Sequence, residues 1–140
     1  MEYKNLLRLW RALQSGAALA GAYFCRFVGG MDALMKALLI MMALDYLTGL
    51  MSAYIEKRLS SEIGFKGIAK KALILILVGA GTALDAGAPG LGGALRGAVI
   101  GFYLSNEALS IAENAARLGL PVPEKLKRAL KQMQDGAKAD

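Results

Sequence analysis

The stretch that decides the fold runs from Ala33 to Ile55 and reads ALMKALLIMMALDYLTGLMSAYI. As a helix rising 1.5 Å per residue it reaches about 34 Å, enough to cross roughly 30 Å of hydrocarbon. One carboxylate, Asp45, lies midway along it, in MMALDYLTGLM. A carboxylate at the centre of a spanning helix costs about 2.5–3.5 kcal/mol, which the surrounding leucines and methionines can offset, so the helix still inserts. Asp45 then needs a partner, a proton or water. Two readings stay open: a working group inside the membrane, or a structural pair with Tyr46, Thr48 or a neighbouring helix.

Working outward, three further apolar stretches appear. Upstream, Ala12 to Val28 is rich in alanine and glycine. Downstream, Ala72 to Leu84 holds LILILVGAG and is short, so a span over about 69–88 requires Lys70 and Lys71 to snorkel at its end. The fourth begins near Leu91, with a span over 91–112, and keeps a helical pattern to about Leu118 before Gly119 and Pro121-Val-Pro123 stop it. A last helix, Glu124 to Gln134, is predicted to be amphipathic, with Lys125, Lys127, Arg128 and Lys131 forming a basic side that rests on the inner leaflet. The predicted fold is all-α: three or four transmembrane helices over residues 1–120 (about 12–28, 33–55, 69–88 and 91–112) and a basic cytoplasmic tail helix over 121–140. The first stretch stays open between a span, a signal peptide cleaved near Ala20-Gly-Ala22, and an amphipathic helix lying on the membrane.

Composition agrees. The apolar set is 56% of 140 residues, with 17 glycines and a mean hydropathy of +0.42. With glycine counted and tyrosine not, the apolar share is about 64%, against roughly 45–50% for soluble domains. Absence of histidine excludes triads and imidazole zinc sites, and the single cysteine, Cys25, cannot form an internal disulfide. No catalytic set, cofactor site or metal site is predicted. The net charge of +6 is interrupted by apolar segments and points to anionic lipid rather than nucleic acid. Basic residues cluster at the N-terminus, between Lys57 and Lys71, and in the tail, whereas the turns at Gly29-Gly30 and Asp85–Gly93 are poor in charge. The positive-inside rule therefore places both termini and the 56–71 loop in the cytoplasm of a multi-pass protein of the bacterial inner membrane.

The fourth stretch, GGALRGAVIGFYLSNEALSIAENAARLG, carries two patterns. Gly93, Gly97, Gly101 and Ser105 recur every four residues and form a face almost without side chains, the device by which membrane helices approach closely. Further on, Asn106, Ser110, Glu113 and Arg117 form a polar stripe, flanked by Glu107 and Asn114. In a membrane that stripe faces protein or water; outside one, it is a solvated face closed by a Glu113–Arg117 pair. Gly79-Ala-Gly81 and Gly87–Gly93 lack the residues that complete nucleotide-binding motifs, and read as packing and a turn.

The order of landmarks resembles one family. Asp45-Tyr-Leu-Thr48-Gly49 is followed by Leu59-Ser60-Ser61, Gly64 and Gly67-Ile-Ala-Lys70-Lys71. Then come Leu84-Asp85, Phe102-Tyr103-Leu-Ser-Asn106-Glu107-Ala-Leu-Ser110-Ile-Ala-Glu113-Asn114, and Leu118-Gly-Leu-Pro121-Val-Pro123. Over about Ala43 to Met133 this resembles the toxin secretion/phage lysis holin family. The resemblance implies a hole-former that accumulates in the membrane and associates with copies of itself into lesions. Those lesions release an endolysin or a toxin, with no direct contact to either implied. From the residues, Gly93, Gly97, Gly101 and Ser105 are candidates for oligomerisation. Asp45, Thr48, Asn106, Glu107, Ser110 and Glu113 are candidate embedded or pore-facing polar groups, and Lys70, Lys71, Lys125 and Arg128 candidate inner-leaflet contacts. The rival readings are a small ion or proton channel or transporter subunit, and a membrane scaffold or antiholin.

Overall fold

The computed structural model describes residues 2–139, with side chains over 3–133, 135 and 136; Met1 and Asp140, the outer ends of the two expected regions, lie outside the described residues. Five α-helices account for the fold: α1 (Glu2–Phe27), α2 (Ala33–Ile55), α3 (Ser61–Gly87), α4 (Ala94–Arg117) and α5 (Glu124–Ala139), with a 3-10 turn at Pro89–Leu91. The described residues are 86% helical, and there is no strand among them.

The helix ends follow from short polar side chains. Asp32 caps α2 by accepting from the Met35 amide at 2.9 Å, and Ser60, in extended backbone, caps α3 by accepting from the Ile63 amide at 3.2 Å. That cap starts α3 at Ser61, eight residues before the expected 69: the helix is longer than its apolar run. At the far end of α3, the Asp85 carboxylate accepts from the Leu95 and Arg96 amides at 3.1 and 2.8 Å. It thereby satisfies free N–H groups in the first turn of α4 and lies at the positive end of that helix dipole.

Helix α4 is central and packs against α2, α3 and α5, while α2 and α3 touch each other sparingly. The half of the bundle near the α1–α2 turn has an apolar core of Val28, Met35, Leu38, Met42, Ile74, Val78 and Ile100. Close approach there depends on Gly81, where a Cβ would lie 3.1 Å from the Arg96 Cα. The other half of the bundle interior is mixed, burying Ser52, Glu107 and Asn114 beside Ala53, Leu109 and Ala112.

Two helices, α2 and α3, are long and apolar enough to cross a membrane, against the three or four expected. Helix α1 carries Lys4, Arg8, Arg11, Gln14 and Ser15, and α4 carries Arg96, Glu107, Glu113 and Arg117, and these groups lower both below a spanning composition. In the most apolar windows of α2 and α3 only 22% of residues are buried. Their large side chains instead point outward: Ile40, Leu47, Leu73, Ile76 and Leu84 are all exposed. Helix α1 begins at Glu2 rather than near Ala12, and its residues 3–23 are exposed. It meets the bundle at its C-terminal end, where the Phe27 ring lies over Gly79. Along α1, Lys4, Arg8, Arg11 and Ser15 share one side, and Leu6, Trp10, Leu13 and Ala17 the other.

Candidate functional site

The polar half of the bundle is organised around Lys71. Its ammonium bonds both the Asp45 carboxylate from α2 and the Glu107 carboxylate from α4. Side-chain exposure is 14% for Lys71, 16% for Asp45 and 4% for Glu107, so three charges from three helices meet largely out of contact with the surroundings. Each helix brings its residue to this level near its own midpoint, since Asp45 lies twelve residues into α2 and Glu107 thirteen into α4. The buried Asn114 donates from Nδ2 to Asp45 Oδ1 at 3.3 Å and to Thr48 Oγ1 at 3.1 Å. Thr48 in turn donates to the Asp45 backbone carbonyl at 3.1 Å. No buried polar side-chain atom is left without a partner among the described residues, which is the condition for a polar network to be tolerated inside a bundle.

A second cluster closes the opposite end. The Arg96 guanidinium donates from Nε to the Val28 carbonyl at 2.6 Å, from one terminal nitrogen to Asp32 Oδ2 at 2.6 Å, and from the other to the Gly30 carbonyl at 3.0 Å. One side chain of α4 thus holds the α1–α2 turn by three charge-assisted bonds. Gly29 has φ +77° and a Cβ there would lie 2.7 Å from Arg96 Nε, so the turn is closed to other residues on both counts. The Arg96 guanidinium, with the Met35 amide second, holds the Asp32 carboxyl below the usual carboxylate range.

Several candidates from the sequence are brought together and others are not. Asp45, Thr48 and Glu107 belong to the Lys71 network, and Ser110 lines the same region. Asn106 is half-buried, and Glu113 is exposed beside Arg117, Lys127 and Arg128. Lys71 points inward to the two carboxylates, whereas Lys70 beside it is exposed. Placing both lysines at the inner leaflet overlooked that α3 continues helically through them from Ser61, which gives adjacent residues different sides. On α5, Lys125 and Arg128 are exposed. The four-residue row on α4 is broken at its start: Gly93 has φ +86° and belongs to the turn before the helix. At Gly97 and Gly101 a Cβ would meet nothing within 4 Å, so this face packs on no helix of the same chain, and Ser105 is buried, its hydroxyl donating to the Phe102 carbonyl at 2.7 Å. Asn114 and Arg96, both structurally central, were passed over in the sequence: Asn114 reads as a flank of the polar stripe, and Arg96 as part of the glycine-rich turn.

Outward apolar surfaces on two membrane-length helices around a paired charged interior define a small α-helical protein of the membrane type. Residues 22–135 match the model of the bacteriophage holin family. The chain belongs to that family. An uncharacterised 14.9 kDa protein of Clostridium perfringens is 41% identical over 86% of this chain and 91% of its own length. An uncharacterised Listeria monocytogenes protein is 46% identical over 79% of this chain and 78% of its own. A probable holin of Bacillus phage phi105 is 35% identical over 61% and 63% respectively. No solved structure matches the chain. Membership of this family points to a non-enzymatic membrane protein.

Proposed function

We propose that the protein is a holin, which accumulates in the bacterial cytoplasmic membrane and associates through copies of itself into lesions that release an endolysin or a toxin. The observation that carries this reading, beside the family, is the open Gly97–Gly101 face on the central helix: a backbone surface that no part of its own chain covers. Such a face supports close approach of a second copy. The outward apolar surface of α2 and α3 supports a hairpin crossing the bilayer, with α4 against it and its Glu107 paired to Lys71. The basic α2–α3 turn, the start of α3 and α5 then face the cytoplasm, with α4 carried across beside the hairpin by its packing and its pairing to Lys71 rather than by its composition. On this reading the polar interior is satisfied in the single copy and is available to line water when copies rearrange.

The test is induced expression in a bacterium carrying a cytoplasmic endolysin, following membrane potential and endolysin release. A holin gives an abrupt collapse after a reproducible delay, with release. Collapse without release would reassign the protein to small, ion-sized holes, and steady growth with intact potential would reject the killer role. Gly97→Leu and Gly101→Leu should block or delay collapse while the protein still inserts; unchanged timing at equal expression would remove that face from the mechanism.

A further inference from the structure

An open cleft of about 310 Å³ lies between α2, α3 and α4 on the side of the 56–71 loop, next to the Lys71 network. Its size is at the lower end of the roughly 300–1,000 Å³ typical of small-molecule sites. Its cations come from three places in the chain: Arg58 from the α2–α3 turn, Lys66, Lys70 and the already paired Lys71 from α3, and Arg117 from the last turn of α4. Arg58 is paired with Glu56. Lys66, Lys70 and Arg117 make no ion pair with a described residue. The one carboxylate in the lining, Asp45, is already bonded to Lys71 and Asn114. Gly67 lets the Tyr46 ring of the lining pack close on α3, and Gly49 faces the Asn114 amide. A cleft in which Lys66 and Lys70 carry no ion pair, Arg117 is shared only at longer range with Glu56, and the one lining acid is neutralised favours an anion, and basic pockets between membrane helices on the cytoplasmic side suit phospholipid head groups.

We propose that this cleft binds a phosphate group, supplied either as the phosphodiester of an anionic lipid or as free phosphate, with Lys66, Lys70 and Arg117 as its ligands. The proposal rests on the membrane reading above and adds a specific occupant to it. An occupant seated there would bridge α3 to the end of α4, and so couple the lipid surface to the helices that hold the buried triad.

The full chain is reconstituted into nanodiscs of phosphatidylcholine with a minor share of phosphatidylglycerol, and lipid retained after mild delipidation is identified by native mass spectrometry. One phosphatidylglycerol should be retained in preference to phosphatidylcholine. Lys66→Gln/Lys70→Gln/Arg117→Gln should lower that retention on the order of a hundredfold, as loss of roughly 1 kcal/mol for each of three cations requires. Lys66→Arg/Lys70→Arg should keep it, and Lys125→Gln/Arg128→Gln, which removes charge on α5, should leave it unchanged. Thermal protection of the detergent-solubilised chain by inorganic phosphate, lost in the triple variant and without any phosphatidylglycerol preference, would assign the site to free phosphate. Equal retention of both lipids with no phosphate effect, or equal loss in the α5 variant, overturns the proposal while leaving the membrane reading intact. Failure of the wild-type chain to enter nanodiscs overturns both.

Discussion

Removing the Lys71 ammonium is the most informative single perturbation of the buried network. Lys71 is the one cation bonded to both Asp45 and Glu107, whose side chains are only 16% and 4% exposed. In Lys71→Met those two carboxylates face each other across a site from which their counter-charge is gone, and Asp45 keeps only uncharged donors, the Asn114 amide and the Ser110 hydroxyl. Breaking a buried ion pair by removing one partner costs about 3–5 kcal/mol, so the variant should lose stability on that scale. Removing a carboxylate is gentler, because Lys71 still has the other: Glu107→Gln or Asp45→Asn should cost less than half as much. A combined Asp45→Asn/Lys71→Met/Glu107→Gln chain buries no charge at this level and should recover most of the loss. Unfolding by SDS titration in mixed micelles, followed by circular dichroism, measures all four. A Lys71→Met chain as stable as wild type, or a triple variant no better than Lys71→Met, would refute the argument that the lysine neutralises a dry, charged interior.

The Arg96 clasp and the tight α3–α4 approach give further tests. Arg96→Ala strands the Val28 and Gly30 carbonyls and the Asp32 carboxylate, and should cost on the order of 3 kcal/mol, read by the same titration, with faster hydrogen exchange in the α1–α2 turn. Because Arg96 holds the Asp32 carboxyl below its ordinary range, its contribution is present at neutral pH and is lost as pH falls below about 4, through the folded-state value. With Asp32 about half exposed, that loss should be under about 1 kcal/mol, and absent in Asp32→Asn, when stability is compared at pH 7 and pH 3. Gly81→Ala should cost about 1–3 kcal/mol because its Cβ meets the Arg96 backbone. The same change at Gly97, where the space is open, should be neutral or stabilising by up to about 1 kcal/mol; equal effects at both sites would contradict the observed packing.

What the sequence made legible was local. The extent of α2 was readable, because an apolar run broken only by Lys36 and Asp45 coincides with a helix that starts at an Asp cap. Asp45 stood out because a lone carboxylate in such a run demands an explanation. Its answer was hidden, since Lys71 is 26 residues away and reads as the basic flank of a short apolar stretch. Only the register of three packed helices brings it between Asp45 and Glu107. The glycine patterns divide in the structure. The reading of Gly79-Ala-Gly81 as packing holds, since Gly81 sets the α3–α4 distance, whereas on α4 Gly97 and Gly101 face open space and Ser105 is buried. Spans were over-counted because alanine and glycine made α1 and α4 look apolar, although their charged residues are spaced to share sides of a helix rather than to interrupt one.

The central position of α4 has a consequence for how the molecule is made. Helices α2 and α3 leave the ribosome before α4 yet hold little of one another, and the helix that joins them follows both. Until residues 94–117 have emerged, Arg96 cannot fasten the α1–α2 turn and the Lys71 ammonium has only Asp45 to meet. The bundle is therefore completed only once α4 has emerged rather than built up helix by helix. Until then α2 and α3 stay loosely associated, open to early capture by a neighbouring nascent chain.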